Sequence, residues 1–211
     1  MLLQYPDIEI TGEQKIRIIH NLIGLPGTKI ETLTKVYSHP QGLAQCARFL
    51  DAYPSIEGVP FYDTAGSVAY VAESKRPEWA AIASAEAAAV YGLEILKEGI
   101  ETNPRNYTRF FVIARAERAG SHDANMASLV FATPDKPGAL FECLKILSDE
   151  SLNMHKLESR PIQGKPWEYM FYVDVEIPSE TAAFERAVAR LSEESEGFRI
   201  LGRYRAHSLG T

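Results

Sequence analysis

The chain has 211 residues, 45% of them apolar and 24% charged, ordinary proportions for a globular protein with room for two compact domains. Its 22 lysines and arginines against 28 aspartates and glutamates give a net charge of −6, and no basic stripe forms, which argues against nucleic acid as a partner. No apolar run reaches the ~20 residues of a membrane span, and Met1-Leu2-Leu3-Gln4-Tyr5-Pro6 lacks the basic start and apolar core of a signal peptide, so no membrane partner and a cytoplasmic location are expected.

Residues 6–10 and 16–23 alternate apolar and polar like two strands around a Thr11-Gly12-Glu13 turn. A domain rarely opens on strands that have no earlier partner, so this stretch is expected to be the tail of a preceding segment. From Leu25 onward strands and helices alternate. The pattern predicts a strand over 32–37 and a helix over 38–52, opened by Ser38-His39-Pro40-Gln41 and carrying Leu43, Cys46, Ala47 and Leu50 on one face. A short strand over 59–62 precedes a helix capped by Asp63-Thr64. An apolar strand over 79–83 precedes a helix over 84–91 that Gly92 stops. After a loop with Asn103-Pro104, a buried strand is predicted over 108–114. Repeated β-α units predict a parallel-rich sheet whose ligand site lies by strand ends and helix N-termini.

Residues 117–125, with Gly120-Ser121-His122-Asp123, read as a linker. Beyond it the rhythm changes: strand 127–132, turn Asp135-Lys136-Pro137-Gly138, helix 139–148, strand 152–161, hairpin turn Gln163-Gly164-Lys165-Pro166, an alternating strand through Tyr169, Phe171, Val173, Val175 and Ile177, helix 181–194 and strand 198–207. That order is βαββαβ, the ferredoxin-like split pattern. Cys46 and Cys143 fall in separate predicted helices with no Cys/His cluster at ligand spacing; they are expected to be reduced core residues rather than a metal pair.

Five stretches could carry chemistry, and each also has a plain structural reading. Asn106-Tyr107-Thr108-Arg109-Phe110 puts a hydroxyl, a fixed cation and a ring at a strand mouth; the same residues could be packing and a solvated charge. Asp63-Thr64-Ala65-Gly66-Ser67 could offer open helix N–H groups to a carboxylate, or be an N-cap. Ser38-His39-Pro40-Gln41 poses the same choice, with His39 a possible general acid. Gly138-Ala139-Leu140-Phe141 and Glu158-Ser159-Arg160-Pro161 could hold the ammonium and carboxylate of an amino acid, or form a surface turn and a weak ion pair.

As a set and in this order, these segments resemble the prephenate dehydratase family, which carries a C-terminal ACT regulatory domain. The resemblance runs over about residues 5–206. It implies an α/β plus α+β fold: an incomplete two-lobed, periplasmic-binding-protein-like catalytic domain, then a ferredoxin-like ACT domain. The domains would be 1–116 (second lobe plus the returning Thr-Arg-Phe strand), linker 117–125, and 126–211. It further implies that the first lobe precedes Met1 and that the Thr108 strand joins its sheet.

The activity implied is decarboxylating dehydration of prephenate to phenylpyruvate, with no metal or organic cofactor. Thr108 would donate a hydrogen bond or proton to the departing hydroxyl, Arg109 would pair with a carboxylate or hold the cleft's shape, and Phe110 would wall it. Asn106, Ser38, Thr64, Ala65, Gly66 and Ser67 would bind substrate. Gly138, Ala139, Leu140, Asn153, Met154, Glu158, Ser159 and Arg160 would bind L-phenylalanine as an allosteric effector. A homodimer or homotetramer is expected. Arogenate dehydratase shares these motifs, and a non-catalytic phenylalanine-binding fragment is the reading from another class.

Overall fold

The computed structural model describes residues 2–116, 123–165 and 167–206; the predicted linker's residues 117–122 and Pro166 of the predicted hairpin turn lie outside them. In chain order the elements are β1 (Ile8–Arg17), β2 (Asn21–Gly24), β3 (Lys35–Ser38), α1 (Pro40–Gln45), α2 (Ala47–Ala52), β4 (Glu57–Pro60), α3 (Thr64–Ser74), β5 (Trp79–Ala83), α4 (Ala85–Tyr91), β6 (Glu94–Lys97) and β7 (Tyr107–Arg115). There follow β8 (Met126–Ala132), α5 (Ala139–Asp149), β9 (Met154–Pro161), β10 (Tyr169–Glu176), α6 (Ala182–Glu194) and β11 (Glu196–Tyr204). They form two compact units: Ile16–Thr108, and Met1–Lys15 together with Arg109–Thr211.

In the unit Ile16–Thr108, five strands lie in the order β4-β3-β5-β2-β6. Successive residues of a strand face opposite ways, and each face has its own core. Leu22, Val36, Ala80 and Ile82 meet Cys46, between α1 and α2, and Phe49 of α2 on one side. Ile23, Tyr37, Ala81 and Ala83 meet Val68, Val71, Ala87 and Ala88 from α3 and α4 on the other. β3 runs parallel to β4 and β5, but β2 runs antiparallel to both β5 and β6. The expected parallel-rich sheet is thus mixed. β6 escaped the sequence reading because four residues with exposed ends carry little periodic signal. The strand expected over 32–37 begins only at Lys35, after a 3-10 turn at Ile30–Thr32.

The single helix expected over 38–52 is two. In an unbroken helix the Gln45 carbonyl would accept from Phe49; here it accepts from Thr102 N at 2.7 Å, and Phe49 N turns to Cys46 O at 3.0 Å. The chain therefore re-nucleates at Ala47, with Cys46 at φ −106°, ψ 18°.

The second unit contains an antiparallel sheet in the order β11-β8-β10-β9, the strand order that a βαββαβ chain takes. α5 and α6 cover one face, burying Leu129, Phe131, Leu147, Val173, Phe184 and Leu191. On the other face β1 and β7 pair as a ribbon and contribute Ile10 and Phe111 to a core with Val130, Leu201 and Tyr204. β8 is buried along its whole length because it is covered on both faces.

This ribbon corrects two expectations. Thr11-Gly12-Glu13 is not a turn: β1 continues through it, a Cβ on Gly12 would lie 3.6 Å from the Val112 side chain, and Thr11 Oγ1 donates to the Val112 carbonyl. β7 is not a buried strand: Phe111 packs, but Val112 and Ile113 are 54% and 52% exposed. Residues 1–15 and 109–116 cluster with the C-terminal sheet. Gly202 makes that packing possible: a Cβ there would lie 2.1 Å from the Ile10 carbonyl oxygen.

Candidate functional site

In the unit Ile16–Thr108, one cavity collects most of the chemistry. Ile18, His20, His39, Gln41, Gly42, Gln45, Asp63, Thr64 and Thr108 line it. Its walls are the β1–β2 connection, the starts of α1 and α3, and the mouth of β7. Thr108 is exposed to this space.

α1 begins at Pro40, a residue suited to a first helical position because it has no N–H to satisfy. His39 caps it, its Nδ1 accepting from Gln41 N at 3.2 Å. In the neutral ring the proton therefore sits on Nε2, which makes that nitrogen a donor. Gly42 is required by closeness: a Cβ would fall 2.7 Å from Ser38 Oγ and 3.6 Å from Thr64 Cγ2. Ser38 itself is buried and donates to the Ile82 carbonyl at 2.7 Å, so it braces α1 against the sheet from behind Gly42.

α3 is capped by Asp63, whose Oδ1 takes the Gly66 N–H at 2.5 Å. That N–H is consequently not offered to a ligand. Ser67 is buried and its hydroxyl donates to the Thr64 carbonyl at 2.6 Å. Thr64 reaches the cavity, while Ala65 is an exposed residue of the first turn.

Two further residues enter the site that local patterns did not single out. Gln45 Oε1 lies 2.7 Å from His20 Nε2 and accepts from Asn106 Nδ2 at 3.2 Å. His20 is buried, and its backbone N–H donates to Glu101 Oε2 at 3.0 Å. Asn106 is thus brought to the cavity's edge through Gln45, and Ile18 N donates to its carbonyl at 2.7 Å. No spacing rule could have found this trio, since each member comes from a different part of the chain.

Arg109 and Phe110 belong to the second unit. Arg109 meets Asp174 Oδ2 at 2.5 Å and Glu13 Oε2 at 3.5 Å, and its guanidinium lies over the Phe111 ring. Ser128 Oγ donates to Asp174 Oδ1 at 2.6 Å and lies 3.0 Å from Tyr204 Oη. Burial pushes the Tyr204 phenol up to about 12. Phe110 is half exposed and is not among the residues lining the Thr108 cavity.

The eight residues expected to bind an amino acid fall in three places within one chain. Gly138, Ala139 and Leu140 open α5 beside Trp167, Tyr169 and Phe171, with Gly138 at φ 82°. Asn153 precedes β9 and lies 3.4 Å from His155, which pairs with Glu176; Met154 starts the strand. Glu158 and Arg160 pair at 2.5 Å further along it, with exposed Ser159 between them. Hydrogen bonds from Lys156 and Arg160 hold the Glu158 carboxyl below its ordinary range.

Comparison with known proteins adds the following. The family model "Prephenate dehydratase" matches residues 1–118, and the model "ACT domain" matches residues 127–193. The bifunctional chorismate mutase/prephenate dehydratase of Escherichia coli K12 is 40% identical over 205 residues, covering 96% of this chain and 53% of that protein. The arogenate dehydratase/prephenate dehydratase 6 of Arabidopsis thaliana is 37% identical, covering 93% and 52%. This chain thus spans about half the length of these relatives. It covers more of the prephenate dehydratase of Methanocaldococcus jannaschii, 39% identical over 97% of this chain and 74% of that one. Among solved structures, Arthrobacter aurescens prephenate dehydratase in complex with L-Phe superposes with TM-score 0.84 at 30% identity, covering 97% and 68%. GqqA, described as a quorum quenching acylase, gives 0.81 at 35% identity, covering 95% and 73%.

Proposed function

This chain belongs to the prephenate dehydratase family, and we propose that it converts prephenate to phenylpyruvate at the Thr108 cavity. The observation that carries the reading is the company Thr108 keeps: two histidines, an amide and a helix start around one open space. In the reaction the ring carboxylate leaves as CO₂. Its bonding pair moves into the ring, and the C4 hydroxyl departs, taking up a proton to become water. Thr108 supplies a hydrogen bond to that departing oxygen. A threonine hydroxyl is a poor acid, so orientation and fixed dipoles do most of the work. Thr64 and the Gln45 amide group line the cavity and in this reading meet substrate oxygens, with Ala65 beside them on the first turn of α3, whereas Gly66, Ser67 and Ser38 serve as the frame behind them. Asn106 acts through Gln45. Arg109, engaged with two carboxylates of its own unit, holds its part of β7 in place.

The test is direct. The 211-residue chain, incubated with prephenate, is expected to release phenylpyruvate, read by its enolate absorbance in alkali; no release at micromolar enzyme would overturn the reading. Because a relative is named for arogenate as well, the second reading is arogenate dehydratase, and the ratio of kcat/KM on the two substrates decides. The ACT-matching region supports L-phenylalanine as effector, bound by the α5 start and β9 residues. Since these fall in three places within one chain, we assign the effector site to a homodimer or homotetramer in the cytoplasm. Calorimetry with L-phenylalanine on wild type and Arg160→Ala, with sedimentation, tests both.

A further inference from the structure

The Gln45 side chain can face its surroundings in two ways, because a primary amide is an acceptor at one end and a donor at the other. Its Oε1 sits between two nitrogens, Asn106 Nδ2 at 3.2 Å and His20 Nε2 at 2.7 Å. The reversed amide would set its own amino group against the Asn106 amino group and lose that bond. Gln45 Nε2 has no hydrogen-bond partner among the described residues, and Gln45 lines the cavity that contains Thr108.

His20 is held independently of this contact. Its N–H donates to Glu101 Oε2 at 3.0 Å and its carbonyl accepts from Ile100 N at 2.8 Å. The Glu101 side chain is almost fully buried and lies 3.8 Å from Arg17. The Gln45 backbone is fixed as well, through the Thr102 bond that interrupts the helix. A carbonyl oxygen only accepts, so the imidazole must carry its proton on Nε2.

We propose that His20 is a positioning residue: its Nε2–H pins the Gln45 carbonyl so that the amide's N–H donors face a substrate oxygen in the Thr108 cavity. The inference rests on the reading of that cavity as the prephenate site. Held in advance, those donors need no reorganisation when substrate arrives, which is where a fixed dipole gains over water.

Two measurements on the full chain test it, and they fail separately from the functional reading. Long-range 1H–15N correlation spectra are expected to give His20 as the Nε2–H tautomer. The Gln45 side-chain amide peaks should move toward free-amide positions in His20→Leu but stay near wild type in His20→Gln, which keeps a donor in the same place. An Nδ1–H tautomer, or Gln45 peaks indifferent to His20→Leu, overturns the proposal even in a chain that turns over nothing. With prephenate, His20→Leu is expected to lower kcat/KM about tenfold, the size of one lost positioning hydrogen bond, and His20→Gln to restore most of it at a similar melting temperature. Equal losses in both variants, or none in His20→Leu, would overturn it. If wild type releases no phenylpyruvate, the functional reading fails and the spectra alone judge His20.

Discussion

Thr108 and Arg109 are neighbours in β7, yet they serve two different kinds of polar construction. Thr108 opens on a cavity whose framework among the described residues is largely neutral: His20, Gln45 and Asn106 orient one another by hydrogen bonds. Arg109 enters a charged cluster with Asp174 and Glu13, backed by Ser128 and Tyr204. Alternation along a strand explains how adjacent residues diverge. The difference in energetics is larger. A neutral trio can lose one member for about the value of a hydrogen bond, whereas removing one partner of a buried ion pair strands a charge.

The sharpest way to break this contrast is Arg109→Met. Asp174 has an almost fully buried side chain whose ion-pair partner is Arg109, while Glu13 keeps Lys15; removing the guanidinium should destabilise the unit by about 3–5 kcal/mol in urea unfolding. A loss below ~1 kcal/mol would place Arg109 in the same class as the neutral trio. Next comes pH. The Tyr204 phenol ordinarily titrates near 10 and is pushed up to about 12 by burial. The unfolded chain therefore releases this proton first. The stabilisation is complete below pH 10 and falls away as pH rises toward 12, by about 2–3 kcal/mol in all. Tyr204→Phe should flatten the pH-dependent slope over that window, and an unchanged slope would assign it elsewhere.

A smaller effect is expected in the unit Ile16–Thr108. Gly42→Ala forces a methyl toward Ser38 Oγ, so the bond to Ile82 must shift, at about 1–2 kcal/mol. Melting curves would read it, and a variant as stable as wild type would mean that the α1 start gives way freely. Smallest is the behaviour of Cys46, buried and free, whose thiol burial raises to about 12. Ellman's reagent at pH 8 should leave it unlabelled in the folded chain, and rapid labelling would show that α1 and α2 open locally.

Much of this was legible from residues alone, for identifiable reasons. The C-terminal βαββαβ pattern was readable because each strand alternates and each helix follows a clear turn, as at Asp135-Lys136-Pro137-Gly138. The strand at Trp79–Ala83 and the Ser84 and Gly92 caps around α4 carried their own local chemistry. What escaped depended on distant partners. Gly12 reads as a turn residue until Val112 lies over it. The break at Cys46 has no glycine or proline, only a carbonyl drawn to Thr102. His20 looked like one more residue of an alternating strand, and Gln45 like a polar position on a helix. Their meaning arises only where the β1–β2 connection, α1 and the stretch before β7 converge.

The proposed reaction gives the Thr108 hydroxyl a part in the chemistry. Steady-state kinetics with prephenate on Thr108→Val, which keeps the shape and removes the hydroxyl, tests it most directly. The expected result is a fall in kcat of about 100-fold or more, the usual size for one lost transition-state donor, with KM little changed and Thr108→Ser largely active. Thr108→Val turning over prephenate at the wild-type rate would contradict it.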